Sequence, residues 1–201
     1  MKNMQYLGRK YPNAGYGNRF NDWIYSDNPQ PYSSWGNGSA MRVSSCGWVG
    51  KNLDEVKLLS CEVTAVTHNH PEGLKGAEAV AVAIFMARTG TTKDEIKKKM
   101  QEYYALDKRL DEIRPTYEFN ESCQDTVPQA IQAFLEAEDF EDAIRNAISL
   151  GGDSDTIAAI TGSIAEAFYG VNKKQTDFVI LKLDDDLRVI HQAFQKFLMR
   201  D

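Results

Sequence analysis

Between Leu74 and Arg88 the chain reads LKGAEAVAVAIFMAR, a stretch that would be apolar on nearly every side of a helix. Such a helix is stable only when other elements surround it, so the segment predicts a central buried helix, closed by Gly90, with a shell of further helices. The flanking text agrees. Val56, Leu59, Val63 and Val66 recur at three- and four-residue spacing, one face of a helix ending near His68. Thr92 and Glu95 form a capping-box pattern opening a charged helix to about Ala105, and Thr126 with Gln129 repeats the pattern before Ala130, Ile131, Phe134 and Leu135. Asp139 opens a helix that runs through Ile148 and stops at Gly151-Gly152. A small-residue helix follows from Thr156 to Tyr169, and a last amphipathic helix carries Leu187, Ile190, Phe194 and Leu198. No strand-like alternation and no repeat of fixed period stand out, so the fold class is all-α.

At 201 residues the chain suits a single domain, 1–201, able to bury a core without staples. Two kinds of chain meet near residue 52. Residues 1–52 hold six Lys/Arg against two acids, half of the 14 glycines, three of the six prolines and all three tryptophans. Their punctuation predicts loops, with short helical pieces near Phe20–Tyr25 and Met41–Ser45. Residues 53–201 form the helical scaffold and carry a net charge of −10, which gives −6 overall. That balance argues against nonspecific nucleic-acid binding, which needs a cationic surplus. No uncharged run approaches the roughly 20 residues of a membrane span, and the N-terminus has no apolar signal stretch. Three cysteines without Cys-x-x-Cys spacing point to reduced thiols in the cytoplasm.

Three stretches could carry chemistry. In Gly151-Gly152-Asp153-Ser154-Asp155-Thr156, two carboxylates and a hydroxyl crowd a helix start, a set of hard oxygen donors suited to Mg2+ or Mn2+. The alternative is an N-cap, although capping needs only one acid. The Asp-x-Asp-x-Thr loop of phosphatases is excluded, because a helix and two glycines precede the acids here instead of an apolar strand. In Trp35-Gly36-Asn37-Gly38-Ser39-Ala40-Met41-Arg42, alternating glycines let backbone amides approach an anion, or simply make a turn, and Arg42 is either a ligand contact or a surface side chain. In Thr67-His68-Asn69-His70-Pro71-Glu72-Gly73, the histidines lack the further ligands that zinc requires. They either finish a helix or present an imidazole to a phosphate or ribose.

Taken together and in this order, Asn28-Pro29-Gln30-Pro31-Tyr32 through Arg42, Thr67 through Gly73, and Gly152 through Thr156 with its Ala- and Gly-rich helix resemble the ADP-ribosylglycohydrolase family. The resemblance covers essentially the whole chain and implies an all-α orthogonal bundle. It implies removal of ADP-ribose from modified side chains or small adducts with two Mg2+ or Mn2+ ions, so that ADP-ribose or an ADP-ribosylated protein is the expected partner. By motif, Asp153, Asp155 and Thr156 would be metal ligands. Asn37, Gly38 and Ser39 would line the phosphates and distal ribose, His68 would contact the ligand near the phosphates, and residues 1–52 would form the ligand-facing wall. The family's opening Gly-Asp helix with its catalytic acid, and its Thr-Asp-Asp-Thr run, have no counterpart here. The expectation is therefore an N-terminally incomplete domain carrying half of the metal site, with the catalytic acid outside it. It would act with a complementing fragment, self-associate, or serve as a non-catalytic binder or structural member.

Overall fold

The all-round apolar segment lies within α5 (Pro71–Arg88), and in a computed structural model describing residues 1–199 it occupies the centre of the molecule. Around it pack α3 (Ser44–Val49), α4 (Leu53–Ala65), α8 (Cys123–Glu136) and α10 (Ser154–Tyr169), with α9 (Phe140–Ser149) behind α8 and α10. The centre is filled by Val80, Ile84, Met100, Ile131, Phe134, Ile157, Ile160 and Ile164, all without exposed surface. Small residues bring the helices close. A Cβ on Gly76 of α5 would lie 2.6 Å from the Cys123 sulfur of α8, so this crossing tolerates no side chain.

The shell is completed by α1 (Lys2–Lys10), α2 (Asn18–Tyr25), α6 (Lys93–Met100), α7 (Leu110–Ile113), α11 (Lys173–Lys182) and α12 (Asp185–Leu198), with a 3-10 turn at Ala40–Arg42. Among the described residues there is no strand, only an isolated antiparallel bridge between Gly36 and Ser122, so the fold is all-α. No helix among them is long and apolar enough to cross a membrane, and Cys46, Cys61 and Cys123 are unpaired.

Several boundaries differ from the sequence expectation. Residues 2–10 are helical rather than loop because α1 is anchored remotely. Gln5 Nε2 donates to the carbonyls of Trp23, Ile24 and Ser26, and Arg9 Nε donates to Ile24 O at 2.9 Å, so α1 caps the open end of α2. The Thr92–Glu95 capping box forms, but α6 ends at Met100 as Tyr104 and Leu106 turn into the core. Thr126 does not cap α8. Ser122 does, accepting from Asp125 N–H, and Thr126 lies buried in the first turn. Asp184 caps α12 through Leu187 N–H at 2.9 Å.

Candidate functional site

The site assembles where four chain segments meet at one end of α5. Its floor is the N-terminus of α10. Gly151 and Gly152, both with positive φ (73° and 61°), end α9 and reverse the chain into α10. Asp153 stands at the N-cap position, yet its carboxylate accepts no bond from the helix's own N–H groups. Asn52, Thr92, Ser122, Asp139, Asn172 and Asp184 all do so at their helices. Asp153 Oδ2 instead accepts from Asn37 Nδ2 at 2.6 Å. Asp155 lies within hydrogen-bonding reach of Asp153 and accepts from Thr156 N–H at 2.9 Å. The capping alternative therefore does not describe Asp153.

Two neighbouring carboxylates repel unless a proton or cation sits between them. Burial first, with Asp155 contributing, pushes the Asp153 carboxyl up. The bond with Asp153, then the Thr156 N–H, holds Asp155 below the usual carboxylate range. The Thr156 hydroxyl, buried beside the pair, reaches the Asp153 carboxylate and lies 3.7 Å from the Met41 sulfur. This donor set of two carboxylates and a hydroxyl fits one side of a hard divalent cation, whose other positions would fall to water or ligand oxygens. Among the described residues no group of three or more His, Cys, Asp or Glu converges to hold a metal.

The wall is the glycine-rich loop, fixed by pairing that no local pattern announces. Asn37 N–H donates to Glu121 O at 2.7 Å and Cys123 N–H to Trp35 O at 3.0 Å. The Asn37 side chain, only 6% exposed, also donates to Thr126 Oγ1 at 3.0 Å, which aims its amide at both α8 and Asp153. Ser39 has no exposed surface. Its hydroxyl donates to Gly73 O at 2.9 Å, so it ties the loop to α5 and faces away from the opening. Gly36 and Gly38 lie against His68, whose Nε2 is 3.6 Å from where a Cβ would stand on either, an ordinary contact distance.

The three polar residues of the His-Asn-His run have separate tasks. His70 caps α5, accepting from Glu72 N–H at 3.2 Å, and its ring meets Trp35 edge-on. Asn69 Oδ1 accepts from Ser33 N–H at 2.7 Å and holds Ser33 at φ 52°, a left-handed conformation unusual for serine. His68 alone points into the site, 5% exposed. Arg42 Nη2 donates to Thr67 Oγ1 at 2.6 Å, and Thr67 Oγ1 lies 2.8 Å from His68 Nδ1. Arg42 Nη2 also faces Nδ1 at 3.4 Å, so Nδ1 accepts and the proton resides on Nε2, toward the glycines. Burial, then the Arg42 charge, push the imidazole down to about 3. His68 is accordingly a neutral donor across the physiological range. Arg42 is a half-buried support of that imidazole, with Phe20 5.8 Å from its guanidinium.

The expected residues Asn37, Gly38, His68, Asp153, Asp155 and Thr156 therefore share one locality, with Ser39 behind it. Sequence reasoning missed Thr126, Glu121 and Tyr117. A Cβ on Gly152 would come within 2.7 Å of the Tyr117 ring. Glu121 and Tyr117 lie in no run with a recognisable chemical pattern, and Thr126 lies in one that reads as a helix cap.

Comparison with known proteins gives a consistent result. Residues 4–197 match the model of the ADP-ribosylglycohydrolase family. An uncharacterized protein of Archaeoglobus fulgidus is 33% identical over 147 residues, covering 65% of this chain and 48% of its own. ADP-ribosylhydrolase ARH3 of Gallus gallus is 28% identical over 223 residues, 81% of this chain and 61% of its own. ADP-ribosylarginine hydrolase Tri1 of Pseudomonas putida is 28% identical over 164 residues, 73% of this chain and 42% of its own. The chain thus spans between 42% and 61% of the length of these relatives. A solved chain from an ADP-ribosylglycohydrolase-related protein complex shares the fold, with a TM-score of 0.72 and 24% identity over 98% of this chain and 72% of that one.

Proposed function

Because this chain belongs to the ADP-ribosylglycohydrolase family, we propose that its site hydrolyses the N- or O-glycosidic bond linking ADP-ribose to a protein side chain or small adduct. The observation that carries the reading is Asp153 turned from its helix cap to Asn37, beside Asp155 and under the same loop that His68 faces. Asp153, Asp155 and Thr156 would hold Mg2+ or Mn2+. Bound there, the ion would supply Lewis acidity toward ribose hydroxyls and a water. The protein's own residues do the positioning. Asn37 orients Asp153 through one of its carboxylate oxygens. Gly36 and Gly38 let the backbone approach the diphosphate closely, and the His68 Nε2–H donates to a phosphate oxygen without adding charge. Arg42, through Thr67, keeps that tautomer. The half-exposed Trp35 offers an aromatic face to the base. Three unpaired cysteines, two of them buried, fit a reducing compartment such as the cytoplasm.

The test is release of ADP-ribose, followed by chromatography, from ADP-ribosylated arginine and serine peptides in Mg2+ or Mn2+. Release that disappears on chelation and in Asp153→Asn is expected. A second reading, a non-catalytic ADP-ribose binder, is favoured by the donor set, since among the described residues no group of three or more His, Cys, Asp or Glu converges. Calorimetric binding of ADP-ribose without any release would select it, and absence of both binding and release would refute both readings.

A further inference from the structure

The loop at 35–42 leaves a large apolar side chain exposed at each end, Trp35 beside His70 and Met41 beside Thr156. The exposure of Met41, 46%, is local. Ala40 before it and Val43 after it are buried and Arg42 is half-buried, so Met41 alone turns outward from the 3-10 turn. Its N–H donates to Asn37 O at 3.0 Å, which ties the turn to the residue that orients Asp153. From there the side chain bridges the two halves of the site. Its Cε lies 4.0 Å from where a Cβ would stand on Gly38, and its sulfur lies 3.7 Å from Thr156 Oγ1.

We propose that Met41 is a positioning residue of the metal site, whose thioether takes the proton of the Thr156 hydroxyl so that Thr156 can turn a lone pair to a divalent cation. The inference rests on the reading above, in which Asp153, Asp155 and Thr156 hold that cation. A threonine hydroxyl has a single proton, and in the structure the hydroxyl of Thr156 reaches the Asp153 carboxylate. Once both residues face one cation, a proton between them is repelled, and it needs another acceptor. Met41 Sδ is an acceptor already within reach. Sulfur suits the task on two counts. As a weak acceptor it does not draw the proton from the carboxylate beforehand, and as a soft donor it does not displace the oxygens from Mg2+ or Mn2+. Because Met41 also borders Gly38, a ligand that runs from the glycine loop to the cation passes over its methyl group.

The test uses the full chain with isotope-labelled methionine methyl groups, whose six signals are read by NMR. Met41→Leu identifies the Met41 signal and removes the sulfur while keeping the apolar volume. Mn2+ is expected to broaden the Met41 methyl more than the others, because paramagnetic broadening falls steeply with distance. By calorimetry, Met41→Leu should bind Mn2+ about 3- to 10-fold more weakly, the loss of one hydrogen bond, with a melting temperature within about 2 °C of the parent. A side chain that only filled space would be replaced by leucine without that loss. Mn2+ binding that is lost in Asp153→Asn but unchanged in Met41→Leu overturns the proposal and leaves the metal site standing. Broadening of Met41 no greater than that of the other methyls also overturns it, and absence of Mn2+ binding overturns both. Titration with ADP-ribose in Mg2+ is expected to shift the Met41 methyl. If it shifts no methyl while Met41→Leu still weakens Mn2+, the role of Met41 stands and the ADP-ribose reading fails.

Discussion

His68 shows how a single side chain is set for its task. Buried beside Arg42, it stays neutral in the folded protein down to about pH 3, while in the unfolded chain it takes up a proton near its ordinary value of about 6.5. Between those values the unfolded state binds more protons, so stability falls as pH falls through 6.5 toward 3. The slope from this group reaches about 1.4 kcal/mol per pH unit. In urea titrations from pH 7 to 4, His68→Gln is expected to flatten the loss of stability by that amount, and an unchanged slope would contradict the assignment. Asn37 lies on the same scale. Asn37→Ala removes the donor that orients Asp153 and leaves Thr126 and Asp153 without their partner. It should cost about 1–3 kcal/mol of stability and weaken metal-linked ligand binding, read by calorimetry. At this scale the sequence singled out Asp153 and His68, because a carboxylate pair and a histidine in a polar run are recognisable as such. It did not reveal Thr126 or Glu121, whose part in the site is set by a loop 80 or more positions distant in the chain.

Among the elements, the α9–α10 junction is the most exacting. Gly151 and Gly152 both need positive φ, but only Gly152 would clash, with the Tyr117 ring at 2.7 Å and Glu118 O at 3.2 Å; nothing lies within 4 Å of a Cβ on Gly151. Gly151→Ala is expected to lose about 1 kcal/mol from backbone strain alone. Gly152→Ala should lose about 2–4 kcal/mol and displace the start of α10. Thermal melts compare the two, and equal losses would show that Tyr117 yields without cost. Helices were legible wherever their evidence is local. The apolarity of α5 needs no partner to be recognised, and neither does the Thr92–Glu95 box of α6. The helix α1 was not legible, because its main anchor is the set of α2 carbonyls held by Gln5 and Arg9. Thr126 was misread as a cap for the converse reason. Its pattern is that of a helix start, but Ser122 stands one turn earlier with the same capacity.

For the molecule as a whole, one end of α5 gathers the loop at 33–39, the turn at 67–70, the segment before α8 and the start of α10. The basic, aromatic first quarter of the chain and the acidic helical remainder meet at this place through the bond from Asn37 to Asp153. The central claim is that these parts form one metal-linked ADP-ribose site. It is tested most directly by calorimetric titration of ADP-ribose into the full chain with Mn2+ and with EDTA, repeated for Asp153→Asn. The expected result is binding that tightens at least about tenfold with Mn2+, a coupling of about 1.4 kcal/mol or more, and loses that gain in Asp153→Asn. Equal affinity with and without metal, or a metal-dependent gain that survives Asp153→Asn, would contradict it.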